Sequence, residues 1–259
     1  MVRGLDIFKK YFEAYPDNYV IIGGTACDLI LDEAGFIPRA TKDIDIILIV
    51  EALNTEFVKK FWQFVVDGEY ELKEKNDDER KYYRFTKPKN TEFPFQIELF
   101  ARNPDLLDFD EQSHLTPIPV DDDLTSLSAI LMNDDYYHYM LEHSVLENGL
   151  HLANIEALIC LKAKAHLEIA DRIASGSKED VKQLRKHKGD VFRLAVMLTA
   201  TDVFKLPESV KAHMQAFMDI VKKDLPDKAI FKEMGLSSTS ADDVLNQLIK
   251  SFELNFEAK

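Results

Sequence analysis

The sequence predicts an α+β chain, with a sheet and flanking helices over residues 1–123 and a helical bundle over residues 124–259. Three observations lead there. Tyr19 to Val50 reads as strand, glycine turn, helix, loop, strand. Phe93 to Phe100 is a short, strongly apolar run of the kind buried within a sheet. From Leu124 onward the hydrophobic pattern changes to long stretches of helical period.

In order, Leu5, Phe8, Phe12 and Tyr15 form the apolar stripe of a first helix, which Pro16 ends. Tyr19 to Ile22 is a β-branched run suited to a buried strand. Gly23 and Gly24 let the chain turn sharply and lie close to a ligand. Ala26, Leu29 and Ile30, with Cys27 and Leu31, repeat at helical spacing up to Gly35. A second strand, Ile44 to Val50, is led by Asp43 and Asp45. Asn54 caps a helix carrying Phe57, Phe61, Phe64 and Val65, and Gly68 closes it. Tyr70 to Lys75 and Lys81 to Thr86 read as two strands joined by a turn at NDDER. Glu98 interrupts the apolar run that follows, where a lone carboxylate is costly unless it is paired or metal-bound. Residues 101–123 are a connection without period, and its acid run Asp121, Asp122, Asp123 reads as solvated.

In the second half, SLSAILMNDDYYHYMLEH reads as one or two helices. After Asn154, Ile155, Leu158, Ile159, Ile169 and Ile173 share one helix face. Lys162 and His166 fall inside that stripe, whereas Lys164 lies opposite, one turn from Glu168. An inward lysine must snorkel out or meet an anion, either a nucleotide phosphate or an acid of the N-terminal half. His166 reads as a satisfied interface histidine. Ser177 with Asp180 starts a further helix, Gly189 interrupts it, and Asp190 caps a fresh one. Lys182, Arg185, Lys186 and Lys188 form the densest basic cluster, a solvated face or a contact for RNA or nucleotide phosphate. Val210, Met214, Phe217 and Ile220 make another stripe, and Ser240 with Asp243 caps a last helix.

The chemistry lies in the first of these stretches. Side chains alternate along a strand, so Asp43 and Asp45 project from one face. Two carboxylates that close are unfavourable unless a cation or proton sits between them, and Mg²⁺ prefers such oxygen ligands. A glycine turn at a helix start presents backbone N–H groups to a phosphate, through Gly23, Gly24 and Thr25. A metal site beside a phosphate cradle suits nucleotidyl transfer. GGTA is not a P-loop, because the terminal G-K-[ST] is missing. His138, His143 and His151 lack zinc-site spacing.

The arrangement GG-T-A, a spacer of about eighteen residues, then R-A-T-K-D-I-D resembles the signature of polymerase-β-type nucleotidyltransferases, most closely the AbiEii-type toxin branch. The resemblance implies a small mixed sheet with helices, a nucleoside triphosphate donor and one or two Mg²⁺ ions. It implies Asp43 and Asp45 as catalytic metal ligands, and Glu98 as the third acid on a neighbouring strand, where aspartate is more usual. LICLKAKA looks like the family's L-x-L-K-A-x-A helix and places Lys162 near the donor. Lys188 and Asp190 resemble a basic-plus-aspartate motif. The acceptor would be a hydroxyl of tRNA, a protein or a small molecule, and the toxin branch implies a cognate antitoxin. The rival expectation is an inactive relative that keeps the fold as a binding or antitoxin-type module. A further alternative treats the acidic pair as plain surface charge.

Composition narrows the partners. The chain of 259 residues carries 46 acidic against 32 basic residues, a net charge of −14, which opposes loose nucleic-acid binding. Cys27 and Cys160 sit in apolar helical patterns and read as buried thiols in a reducing compartment. No apolar run approaches about eighteen residues and no leader pattern opens the chain, so a cytoplasmic protein with no membrane partner is expected.

Overall fold

Tyr19–Ile22 (β1) and Asp43–Leu48 (β2) are the two central strands of a mixed sheet, and both are short and rich in Ile. The computed structural model describes residues 2–39, 41–72, 83–101, 133–176 and 181–255. Within these, Glu71–Leu72 (β3), Tyr83–Thr86 (β4), Gln96–Ala101 (β5), Ser144–Glu147 (β6) and Leu150–Ala153 (β7) complete seven strands in the order β3-β4-β5-β2-β1-β7-β6. β2 runs parallel to β5 and β1 parallel to β7, and the remaining pairs are antiparallel.

Each sheet face has its own cover. Leu5–Phe12 (α1) and Thr55–Asp67 (α3) lie against the face that carries Tyr19 and Phe85. Phe8, Phe12 and Phe64 form its fully buried aromatic core, with ring centroids 4.6–6.0 Å apart. Asn54 accepts the N–H of Phe57 at 2.8 Å and so caps α3 as its sequence predicts. Gly23–Glu33 (α2) follows β1 without a linker and ends at Gly35, which adopts a φ of +78°.

The second half supplies Asp134–Glu142 (α4), Ile155–Ala174 (α5), Val181–Ala195 (α6), Glu208–Val221 (α7), Ala229–Glu233 (α8) and Ala241–Ser251 (α9). One hydrophobic core runs through both halves, from Val2 to Leu254. The expected α+β class, with a sheet, flanking helices and a helical second half, is what the chain adopts. The division at residue 123, the NDDER turn, the acid run at 121–123 and the Ser177–Asp180 cap lie outside the described residues.

Three expectations change. The second half contains the β6–β7 hairpin as well as helices, and β7 joins the sheet beside β1. Its turn is Asn148-Gly149, both with positive φ, a hairpin signal that a purely helical reading passes over. Gly189 does not interrupt α6, which is continuous from Val181 to Ala195. Packing against α5 outweighs the roughly 1 kcal/mol helix penalty of glycine, and a Cβ at Gly189 would press on Arg193 at 3.0 Å. Ile220 is exposed, and Val221 takes the buried place in the α7 stripe.

Candidate functional site

Strand register assembles the acidic wall. Asp45 pairs with Glu98 and Asp43 with Gln96 across β2 and β5, while Arg84 on β4 pairs with Glu98. Residues directly opposite share a sheet face, so all five side chains project to the side away from α1 and α3. Glu98 is buried, and its Oε1 accepts from Arg84 Nε at 2.9 Å and from Gln96 Nε2. Glu98 is thus a paired carboxyl, held by Arg84. Asp43 and Asp45 sit half-buried beside this buried acid.

The glycine turn closes on this wall. Gly23 has a φ of +69°, and a Cβ there would overlap the Asp45 carboxylate. The Gly24 N–H donates to that same carboxylate. Thr25 is placed differently from its neighbours. Its hydroxyl donates to the Asp43 carbonyl at 2.5 Å in full burial, and its side chain does not line the cleft. Thr25 is a strut between α2 and β2, whereas Gly23 and Gly24 face the open space.

The opposite wall comes from α5 and α6. Lys162 is 5% exposed, and its Nζ lies 3.4 Å from Asp190 Oδ2, so its buried acid partner is on α6. Arg39, from the loop before β2, and Arg193 approach Asp190 Oδ1 at 3.5 Å and 3.4 Å. Lys186 and His187 line the cleft. Lys188 does not: its Nζ turns out to Asp224, 2.7 Å from both the carboxylate and the carbonyl. Lys186 was legible only as one member of a basic cluster, because helix phase at this end of α6 depends on packing. His166 is a satisfied interface residue, with Nδ1 2.9 Å from the Leu184 carbonyl. Lys164 and Glu168 form the expected pair one turn apart at 2.7 Å, but half-buried rather than solvated.

Between the walls lies a cleft of about 190 Å³, lined by Gly23, Gly24, Thr41, Asp43, Asp45, Arg84, Gln96, Glu98, Leu161, Lys162, Ala165, Ile169, Gln183, Lys186 and His187. Burial raises the carboxyls of Asp43 and Asp45, and for Asp45 the charge of Asp43 adds to it against Lys162. Glu98 is pushed up to about 8, by burial first and by Asp45 next. Burial opposes the charge on Lys162, but Asp190, Cys27 and Asp45 outweigh it and its pKa rises. Asp190 is held below the usual carboxylate range because Lys162 and Arg39 outweigh its burial. Lys186 is lowered by burial and by the nearby Lys162.

Asp43 and Asp45 fit Mg²⁺, which takes one or two carboxylates together with water and phosphate oxygens. They are hard oxygen donors, and burial already disfavours their ionised form, with the Asp43 charge adding to it at Asp45. Glu98 fits less directly, since Arg84 and Gln96 occupy its Oε1. Among the described residues no group of three or more His, Cys, Asp or Glu side chains is arranged around a common metal position. The three acids share one face of the sheet, and the third is turned to its arginine. Among the described residues no helix is long and apolar enough to cross a membrane.

No protein-family model matches the sequence, and no curated protein matches it. Among solved structures, the chain is similar to an antigenic nucleotidyltransferase-like protein from Paracoccidioides brasiliensis, at a TM-score of 0.40 and 14% identity over 93% of this chain and 97% of that one.

Proposed function

We propose that the protein is a metal-dependent nucleotidyltransferase that moves a nucleoside monophosphate from a triphosphate to a hydroxyl. The observation that carries this reading is the juxtaposition of Gly23 and Gly24 with Asp43 and Asp45 in one cleft, faced by Lys162 and Lys186. That is anion-binding and cation-binding chemistry side by side, the pairing a Mg²⁺–triphosphate complex requires.

In this reading Asp43 and Asp45 hold Mg²⁺, with Glu98 a further candidate once its carboxylate turns from Arg84. The metal supplies Lewis-acid stabilisation of the phosphoryl charge. Gly23 and Gly24 receive the triphosphate at the start of α2, and Lys162 and Lys186 balance the charge of the departing pyrophosphate. Glu98, once ionised, is the carboxylate placed to take a proton from the acceptor hydroxyl. The acceptor class is tRNA, a protein side chain or a small molecule. The toxin role and a cognate antitoxin belong to this proposal through the resemblance alone.

Titration calorimetry of ATP, GTP, CTP and UTP with Mg²⁺, on wild type and Asp45→Ala, tests the reading. Wild type is expected to bind at least one triphosphate in a Mg²⁺-dependent way, and Asp45→Ala to lose it. Absence of any such binding would favour the inactive binding module. Incubation with labelled triphosphates and a cell extract then identifies the acceptor from the macromolecule that takes up label.

A further inference from the structure

The cleft changes chemistry along its length. Lys162 faces Asp190, and His166 bonds the Leu184 carbonyl, so α5 and α6 run antiparallel in a fixed register. Continuing that register places Ile169 on α5 level with Gln183 on α6. At 1.5 Å rise per residue this level lies about 10 Å along the helix axis from Lys162. The near end carries the acids, the glycine turn and Lys162. Ala165 and Lys186 lie between, and the far end carries Ile169 and the carboxamide of Gln183, which makes no hydrogen bond among the described residues. The near end suits a triphosphate. The far end suits a flat, weakly polar group with donors and acceptors on its edge.

We propose that Ile169 and Gln183 form the nucleobase end of the cleft, and that Gln183 discriminates between bases. The assignment rests on the nucleotidyltransferase reading and adds to it where the base lies. A carboxamide presents a donor and an acceptor side by side, which matches a nucleobase edge, and the aliphatic side chains of α5 supply an apolar contact for the ring. The apolar end also lies about 10 Å from Lys162, on the order of a nucleoside's length.

The test compares Mg²⁺ complexes of ATP, GTP, CTP and UTP with Mg²⁺–tripolyphosphate, by calorimetry on the full chain. Wild type is expected to bind its best triphosphate at least about tenfold tighter than tripolyphosphate. Gln183→Ala should narrow the spread among the four triphosphates by about fivefold or more. Ile169→Ala should weaken all four alike. Neither should alter tripolyphosphate binding. Gln183 is half-buried on the helix surface, so its variant stays informative even if Ile169→Ala does not fold. Unchanged ratios in a folded Gln183→Ala, or tripolyphosphate binding as tightly as every nucleotide, would overturn this assignment alone. If neither nucleotides nor tripolyphosphate bind, the nucleotidyltransferase reading fails with it.

Discussion

The Asp45 carboxylate occupies the space in which a side chain at Gly23 would begin. The same carboxylate accepts the Gly24 N–H, so the turn and the acid strand are built against each other. Gly23→Ala therefore carries two penalties, a φ of +69° and a steric overlap. Together these should remove about 3 kcal/mol of stability and displace Asp45. Urea unfolding and Mg²⁺–nucleotide titration measure both effects. Wild-type values in the two assays would mean that the close approach has no consequence.

Glu98 sets a pH dependence of stability. Its carboxyl is raised from 4.5 to about 8 in the fold, chiefly by burial. Between those values the unfolded chain has lost the proton and the folded chain keeps it, so stability falls as pH rises through this window. Glu98→Gln keeps an acceptor for Arg84 and removes the titration. Its melting temperature should match wild type near pH 4.5 and exceed it by a few degrees at pH 8. Parallel melting curves for the two proteins across that range would contradict the assignment.

Asp45 should show a trade between stability and binding. Burial and the Asp43 charge both raise its carboxyl, so its ionised form strains the fold at neutral pH. Asp45→Asn should melt a few degrees higher than wild type in chelator. Wild type should then gain stability from Mg²⁺ with a triphosphate, and the variant should not. Thermal scans with and without both ligands check each half.

Two neighbouring lysines should behave differently. Lys186 lines the cleft, whereas Lys188 is anchored at Asp224 on the outside. Lys186→Ala is expected to weaken Mg²⁺–triphosphate binding about tenfold, and Lys188→Ala to leave it within about twofold. Equal losses would show that the basic face acts as a diffuse patch.

Asp190 is the buried acid around which Arg39, Lys162 and Arg193 gather at 3.4–3.5 Å. Removing one partner of a buried charge group leaves the others unpaired. Asp190→Ala should therefore cost about 3–5 kcal/mol, and Asp190→Asn less. Denaturant midpoints of the two variants give the comparison.

The sequence by itself determined the local pieces. It set β1, the glycine turn, α2, the acid strand and the capped α3, because each depends on short-range patterns of burial, φ and capping. It also identified Asp43, Asp45, Glu98 and Lys162 as residues needing a special partner, since charge inside an apolar pattern is unfavourable wherever the chain folds. Tertiary structure alone decided which partner each received. Parallel pairing of β2 with β5 put Glu98 beside Asp45, packing of α5 on α6 gave Lys162 to Asp190, and Thr25 turned from the cleft to hold β2. Those outcomes depend on register between segments far apart in the chain, and shifting a strand by one residue would send every side chain to the other face.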